Sequence, residues 1–131
     1  MTILALDLGK KRVGVAISHG FVAQAIAVLD FGDSFLDDLA EIVEHEKVEE
    51  IVIGLPLSKT GAETEQSIWN KAEGEKIEKH FGLHVEYVDE AYSTVSLDSR
   101  SNQIDALSAK IILEQYLNEK ESLSGKGNTA E

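Results

Sequence analysis

Three strand-like runs crowd into residues 1–31, and helical and strand-like segments then alternate to the end of the apolar pattern. Thr2–Leu8 is rich in Ile and Leu and ends at Asp7-Leu8-Gly9. Gly9-Lys10-Lys11 makes a tight connection to Arg12–Ser18, which alternates, and Ala25–Phe31 is the third β-like run. Short polar or glycine-containing links between the three predict an antiparallel meander. After Gly32-Asp33-Ser34, the residues Phe35, Leu36, Leu39, Ile42 and Val43 fall on one helical face. Ser34 is the expected N-cap, with Asp37 as a capping-box partner. Val48–Leu55 is apolar on both faces at Ile51-Val52-Ile53, as suits a parallel strand covered on both sides. A polar loop (Ser58–Gly61) leads to a second helix over Thr64–Phe81, stopped by Gly82. His84–Val88 is a fifth strand, Ala91–Gln103 a polar loop, and Ile104–Leu117 a third helix.

The order βββ-α-β-α-β-α restricts the topology sharply. Right-handed crossovers place the fourth and fifth strands beside the first. The expected architecture is therefore α/β, a mixed five-stranded sheet of order 3-2-1-4-5 with helices on both faces. Residues 1–118 form one domain in this reading, and 119–131 a disordered tail.

The chain of 131 residues carries 12 Lys and Arg against 24 Asp and Glu, a net charge of −12. That argues against broad, non-specific affinity for nucleic acid. The charge is uneven. Residues 1–29 hold Asp7 against Lys10, Lys11 and Arg12, while residues 30–50 hold nine acids and only Lys47. There are no cysteines, which excludes disulfides, thiolate metal ligands and Cys nucleophiles. No stretch is apolar enough to span a membrane, and Asp7 interrupts the opening run too early for a signal peptide. The expected location is the cytoplasm.

Three acids stand where structure alone would not put them. Asp7 lies inside the most apolar strand, Glu90 directly follows the fifth strand, and Asp105 lies among apolar residues at the start of the last helix. In the expected sheet, strands 1, 4 and 5 are parallel neighbours, so Asp7 and Glu90 share a carboxyl edge. Two strand spacings amount to roughly 10 Å, a gap a Glu can lean across. The last helix could bring Asp105 to the same edge, where open α/β sheets bind their ligands. Clustered carboxylates need a counter-charge, and hard oxygen ligands suit Mg²⁺ or Mn²⁺. Two such ions about 4 Å apart would activate water and stabilise a leaving 3′ oxygen in phosphodiester hydrolysis.

The segment ILALDLGKKRVGVAIS resembles the opening of the YqgF family, also called RuvX, the Holliday junction resolvases. The resemblance continues through IVIGLPL with Gly61 beyond it, HFGLHVEYVDEAYST, and DALSAKIILEQYL, together spanning most of residues 3–117. It implies an RNase H-like fold and a metal-dependent nuclease acting on Holliday junctions or on precursor 16S ribosomal RNA. By motif position the family's acids fall on Asp7, Glu90 and Asp105, with Asp89 in the same DE pair, and its ST pair falls on Ser93 and Thr94. Lys10, Lys11 and Arg12 sit beside Asp7, and the position allows two readings equally: contact with phosphates flanking the scissile bond, or a solvated turn.

Departures bear on substrate binding. Ala91 stands where the family usually has Arg, and His19 where it often has Asp. The ten residues Val95–Ile104, where the family usually has an additional helix and a basic loop, hold one base, Arg100. A helper protein could supply that surface, and a homodimer is a second arrangement. The same fold kept as a binding or regulatory module without hydrolysis is the alternative reading. DLGKKRVGVA also resembles the phosphate loop of sugar kinases and actin-like ATPases, but those enclose ATP between two such domains. The four histidines (His19, His45, His80, His84) show no ligand spacing, and Trp69 is expected in the core.

Overall fold

The computed structural model describes residues 1–58, 60–89 and 102–129, with side chains in the last helix from Ala106 to Lys120. Its elements are β1 (Ile3–Leu8), β2 (Arg12–Ser18), β3 (Ala23–Asp30), α1 (Phe35–Glu46), β4 (Glu50–Leu55), α2 (Glu65–Phe81), β5 (His84–Asp89) and α3 (Asn102–Thr129). The sheet order is β3-β2-β1-β4-β5, as the sequence predicts. β1 pairs antiparallel with β2 and parallel with β4, and β4 pairs parallel with β5.

Alternation along β1 sorts its side chains between two cores. Leu4, Leu6 and Leu8 join Val13, Val15, Ile51, Ile53 and Ile77 under α1 and α2. Ile3 and Ala5 join Ala16, Val52, Val88, Ala109, Ile112 and Leu113 under α3. β1 is thus buried on both faces, which is why its sequence is almost uninterrupted aliphatic. At the turn after it, a Cβ on Gly9 would stand 2.6 Å from the Arg12 carbonyl oxygen, so the chain reverses there only with glycine.

The helix ends hold one departure from expectation. Ser34 occupies the N-cap position of α1, but its hydroxyl makes no cap and instead donates to Asp38 Oδ2 at 3.3 Å. Its φ and ψ (−93°, 3°) continue the preceding turn and point the hydroxyl away from the free N–H groups. α2 is capped reciprocally. Ser67 N–H donates to Thr64 Oγ1 (3.0 Å) and Thr64 N–H to Ser67 Oγ (2.8 Å). The Thr64 hydroxyl also donates to the Pro56 carbonyl, tying the helix to the loop after β4.

α2 buries Ser67, Asn70, Gly74 and Ile77, a stripe one position away from Ile68, which is exposed. The small residues allow close approach to the sheet. A Cβ on Gly74 would collide with the Tyr87 hydroxyl and come within 3.1 Å of Ile53 Cδ1. Gly74→Ala is therefore expected to destabilise by about 1–3 kcal/mol, the usual cost of overpacking, despite alanine's better helix propensity. A urea unfolding midpoint equal to or above that of the parent would contradict this contact.

The backbone of α3 extends as a helix to Thr129, beyond residue 118, where a tail is expected. Glu119, Lys120 and Glu121 are good helix formers that continue its last turns.

Candidate active site

Asp7 is the next-to-last residue of β1 and follows Ile3 and Ala5 in alternation, so it faces the α3 layer, where it is half-buried. Opposite it on β2 stands Gly14, which places no side chain beside the carboxylate. Leu6 pairs with Ile53, and Ile53 with Tyr87, so Asp7 sits one residue beyond that rung, at the carboxyl ends of β1, β4 and β5. The end of β4 is fixed from α2: the buried Asn70 donates from Nδ2 to the Gly54 carbonyl at 2.8 Å and accepts from Gln66 Nε2 at 2.8 Å. β4 itself runs one residue past Gly54, to Leu55.

Two contacts fix the direction of α3. The Tyr116 hydroxyl donates to Glu50 Oε2 at 2.7 Å, and Glu50 pairs with Ile3 at the opposite, amino edge of the sheet. Glu114, Leu117 and Asn118 line a cavity with Phe21, Val22 and Ala23 of the β2–β3 turn, at that same amino edge. The first turns of α3 therefore point toward the edge where Asp7 lies. Asp105 precedes Tyr116 by eleven residues, about 16 Å of helix, against about 13 Å of strand from Ile3 to Asp7.

The expected site is thus described in part. Asp7 and the backbone of Asp105 are within the described residues. Glu90, Ser93 and Thr94 lie outside them, as does the side chain of Asp105. Asp89 is exposed and pairs with Leu55.

Of the basic turn, Lys10 and Lys11 are exposed and Arg12 is half-buried. The turn is held by the Phe31 N–H, which donates to the Lys11 carbonyl at 2.9 Å. Lys10 Nζ lies 5.9 Å from the centre of the Trp69 ring, and Trp69 packs edge-on to Phe31 at 5.4 Å. Trp69 is thus attached to the core, as expected, and Lys10 leans toward the α2 layer while Asp7 faces the α3 layer. The two share an edge but not a face.

A second polar group, which the sequence did not disclose, lies at the amino edge. Glu50 is buried, and besides Tyr116 it meets Lys120 Nζ at 3.5 Å from Oε1. His84 Nε2 lies 3.0 Å from Glu86 Oε2 and 4.0 Å from Glu50 Oε2. Burial, and then the hydrogen bond to Glu50, push the Tyr116 phenol well above its ordinary range. The hydrogen bond to Glu86 raises the His84 imidazole above 6.5, opposed by desolvation and assisted by the charges of Glu86, Glu50 and Glu78. The imidazolium's contribution to stability is complete below 6.5 and is lost as pH rises through the raised midpoint. An NMR titration should place the His84 midpoint above 6.5 and lower it in Glu86→Gln. An unchanged midpoint in that variant would remove Glu86 as the cause.

A family model described as RuvX, Holliday junction resolvase, matches residues 1–119. A protein of Streptococcus pneumoniae (strain Hungary19A-6) is 37% identical over 138 residues, covering 92% of this chain and 99% of the relative. One of Streptococcus thermophilus (strain ATCC BAA-491 / LMD-9) is 36% identical over 135 residues, covering 89% and 97%. Both bear the name "Putative pre-16S rRNA nuclease". Among solved structures, Thermus thermophilus RuvC in complex with Holliday junction substrate superposes with a TM-score of 0.58 at 10% identity, over 92% of this chain and 96% of that one. The fowlpox virus resolvase with its Holliday junction DNA gives 0.55 at 12% identity, over 91% and 98%. At those identities the likeness establishes the fold, which is RNase H-like.

Proposed function

This chain belongs to the RuvX family of Holliday junction resolvases, and from that premise we propose that it is a metal-dependent endonuclease whose site is built from Asp7, Glu90 and Asp105. The observation that carries the reading is the position of Asp7. An otherwise aliphatic strand, buried on both faces, carries a half-buried carboxylate one residue before its end, at the carboxyl edge of three parallel strands, on the face that α3 covers. Open α/β sheets bind ligands at that edge. The donor set is three carboxylates, hard oxygen ligands that fit Mg²⁺ or Mn²⁺ in a pair of ions. When bound, such ions supply an activated water and neutralise charge on the leaving 3′ oxygen.

The remaining residues bind and orient. Lys10 and Lys11 are exposed in the turn after β1 and would hold phosphates that flank the scissile bond, Lys10 on the side away from α3. Arg12, Ser93 and Thr94 complete the proposed backbone contacts. The substrate we propose is structured nucleic acid in the cytoplasm, the 5′ end of precursor 16S ribosomal RNA or junction DNA. The chain's charge of −12 and the single base in residues 95–104 favour delivery by a helper protein or a partner copy over unaided capture. Those same two features also favour the alternative, a non-hydrolytic module of the same fold.

Turnover separates the two. End-labelled precursor-rRNA and four-way-junction fragments, incubated with Mn²⁺ or with EDTA, should give discrete products of one substrate only in the presence of Mn²⁺. Binding of either fragment without cleavage under any divalent ion would establish the non-hydrolytic module instead.

A further inference from the structure

We propose that the amino edge of the sheet holds a second cation site, distinct from the carboxyl-edge acids, in which Glu50, His84 and Glu86 bind a zinc-type divalent ion. Strand pairing assembles it. Glu50 and His84 are register partners on the parallel strands β4 and β5. Glu86 is two residues beyond His84 and so projects from the same face. Val52 and Val88, in the same alternation, pack in the α3-side core, which identifies that face as the one under α3.

One ligand atom from each of the three residues lies within 4.8 Å of the other two. The tightest pair, His84 Nε2 and Glu86 Oε2, is 3.0 Å apart. Ligands on one tetrahedral zinc ion, with bonds of about 2.0–2.1 Å, stand about 3.4 Å from each other. The exposed side chains of His84 and Glu86 need only small rotations to meet that spacing around the buried Glu50. One imidazole nitrogen and two carboxylates form a donor set that suits zinc better than magnesium, and water can complete the fourth position on the open side.

A second observation points the same way. Glu50 is only 7% exposed, and its Oε1 is buried with no hydrogen-bond partner, while Oε2 takes the Tyr116 hydroxyl. A buried carboxylate calls for compensating positive charge. Lys120 Nζ is the one cation recorded at that oxygen among the described residues. It stands at 3.5 Å, on a side chain 44% exposed that can swing to solvent. The site therefore joins a buried carboxylate, one oxygen of which lacks a hydrogen bond, to an exposed imidazole and a second carboxylate.

The test is calorimetric titration of the full chain with Zn²⁺ and, separately, Mg²⁺. In Asp7→Asn, where the carboxyl-edge acids are disabled, one Zn²⁺ should still bind and raise the melting temperature by mass action, and Mg²⁺ should have no comparable effect. His84→Ala and Glu86→Gln alter exposed side chains and should each weaken Zn²⁺ by an order of magnitude or more. Lys120→Gln should strengthen it severalfold by removing the competing ammonium. Asp7→Asn should leave it unchanged, so failure of the nuclease reading does not affect the outcome. His19 and His45 both contact Glu46, at 3.1 Å each, and form the rival location. Zn²⁺ binding that survives His84→Ala but is lost in His19→Ala would overturn the proposal, as would no stoichiometric binding at all.

Discussion

Asp7→Asn should lower metal-dependent cleavage by well over the roughly 100-fold that loss of an outer-shell metal partner costs, while leaving the protein as stable as the parent or more so. A neutral amide is a poor ligand for a hard cation. The same change removes one negative charge from the edge where three acids are proposed to gather, so repulsion in the metal-free protein falls. Sites commonly sacrifice stability in this way for activity. A purely structural Asp7 gives the reverse pair: loss of a turn hydrogen bond, on the order of 1 kcal/mol, with activity intact. Cleavage rate and urea midpoint measured on one variant decide between them.

Ile112→Ala should cost about 2–5 kcal/mol, the range for emptying a fully buried aliphatic site. Ile112 is 0% exposed and sits at the centre of the core between α3 and the sheet. The effect would reach the proposed site, because α3 also carries Asp105. Its docking is fixed at the amino edge by Tyr116 on Glu50 and along its length by Ala109, Ile112 and Leu113. The expected result is a large fall in unfolding free energy. A loss below about 1 kcal/mol would show that α3 is not docked as described.

Strand order was legible because β1 and β4 advertise burial on both faces, and the three opening runs are separated by links too short for crossovers. Less legible was how α2 lies. Its apolar residues suggest Ile68 as an inward position, yet Ser67, Asn70 and Gly74 face the sheet, because close approach and the Asn70–Gly54 bond outweigh apolar burial there. Leu107 is likewise exposed, while Ala106 and Ala109 are buried. The amino-edge group was invisible for a different reason. Glu50 and His84 are far apart in sequence and meet only through parallel register. A His-x-Glu pair on the edge strand was the one signal, and alone it reads as a solvated face. Asp7 was legible because an acid in an aliphatic strand violates local preference.

The proposed catalytic unit draws its three carboxylates from β1, the segment after β5 and α3. The direct measurement is single-turnover cleavage by Asp7→Asn, Glu90→Gln and Asp105→Asn side by side with the parent, at saturating Mn²⁺. Each variant alone should lose nearly all activity, and combining two should add little further loss, as residues acting as a unit behave. Full activity in any one of the three would contradict it.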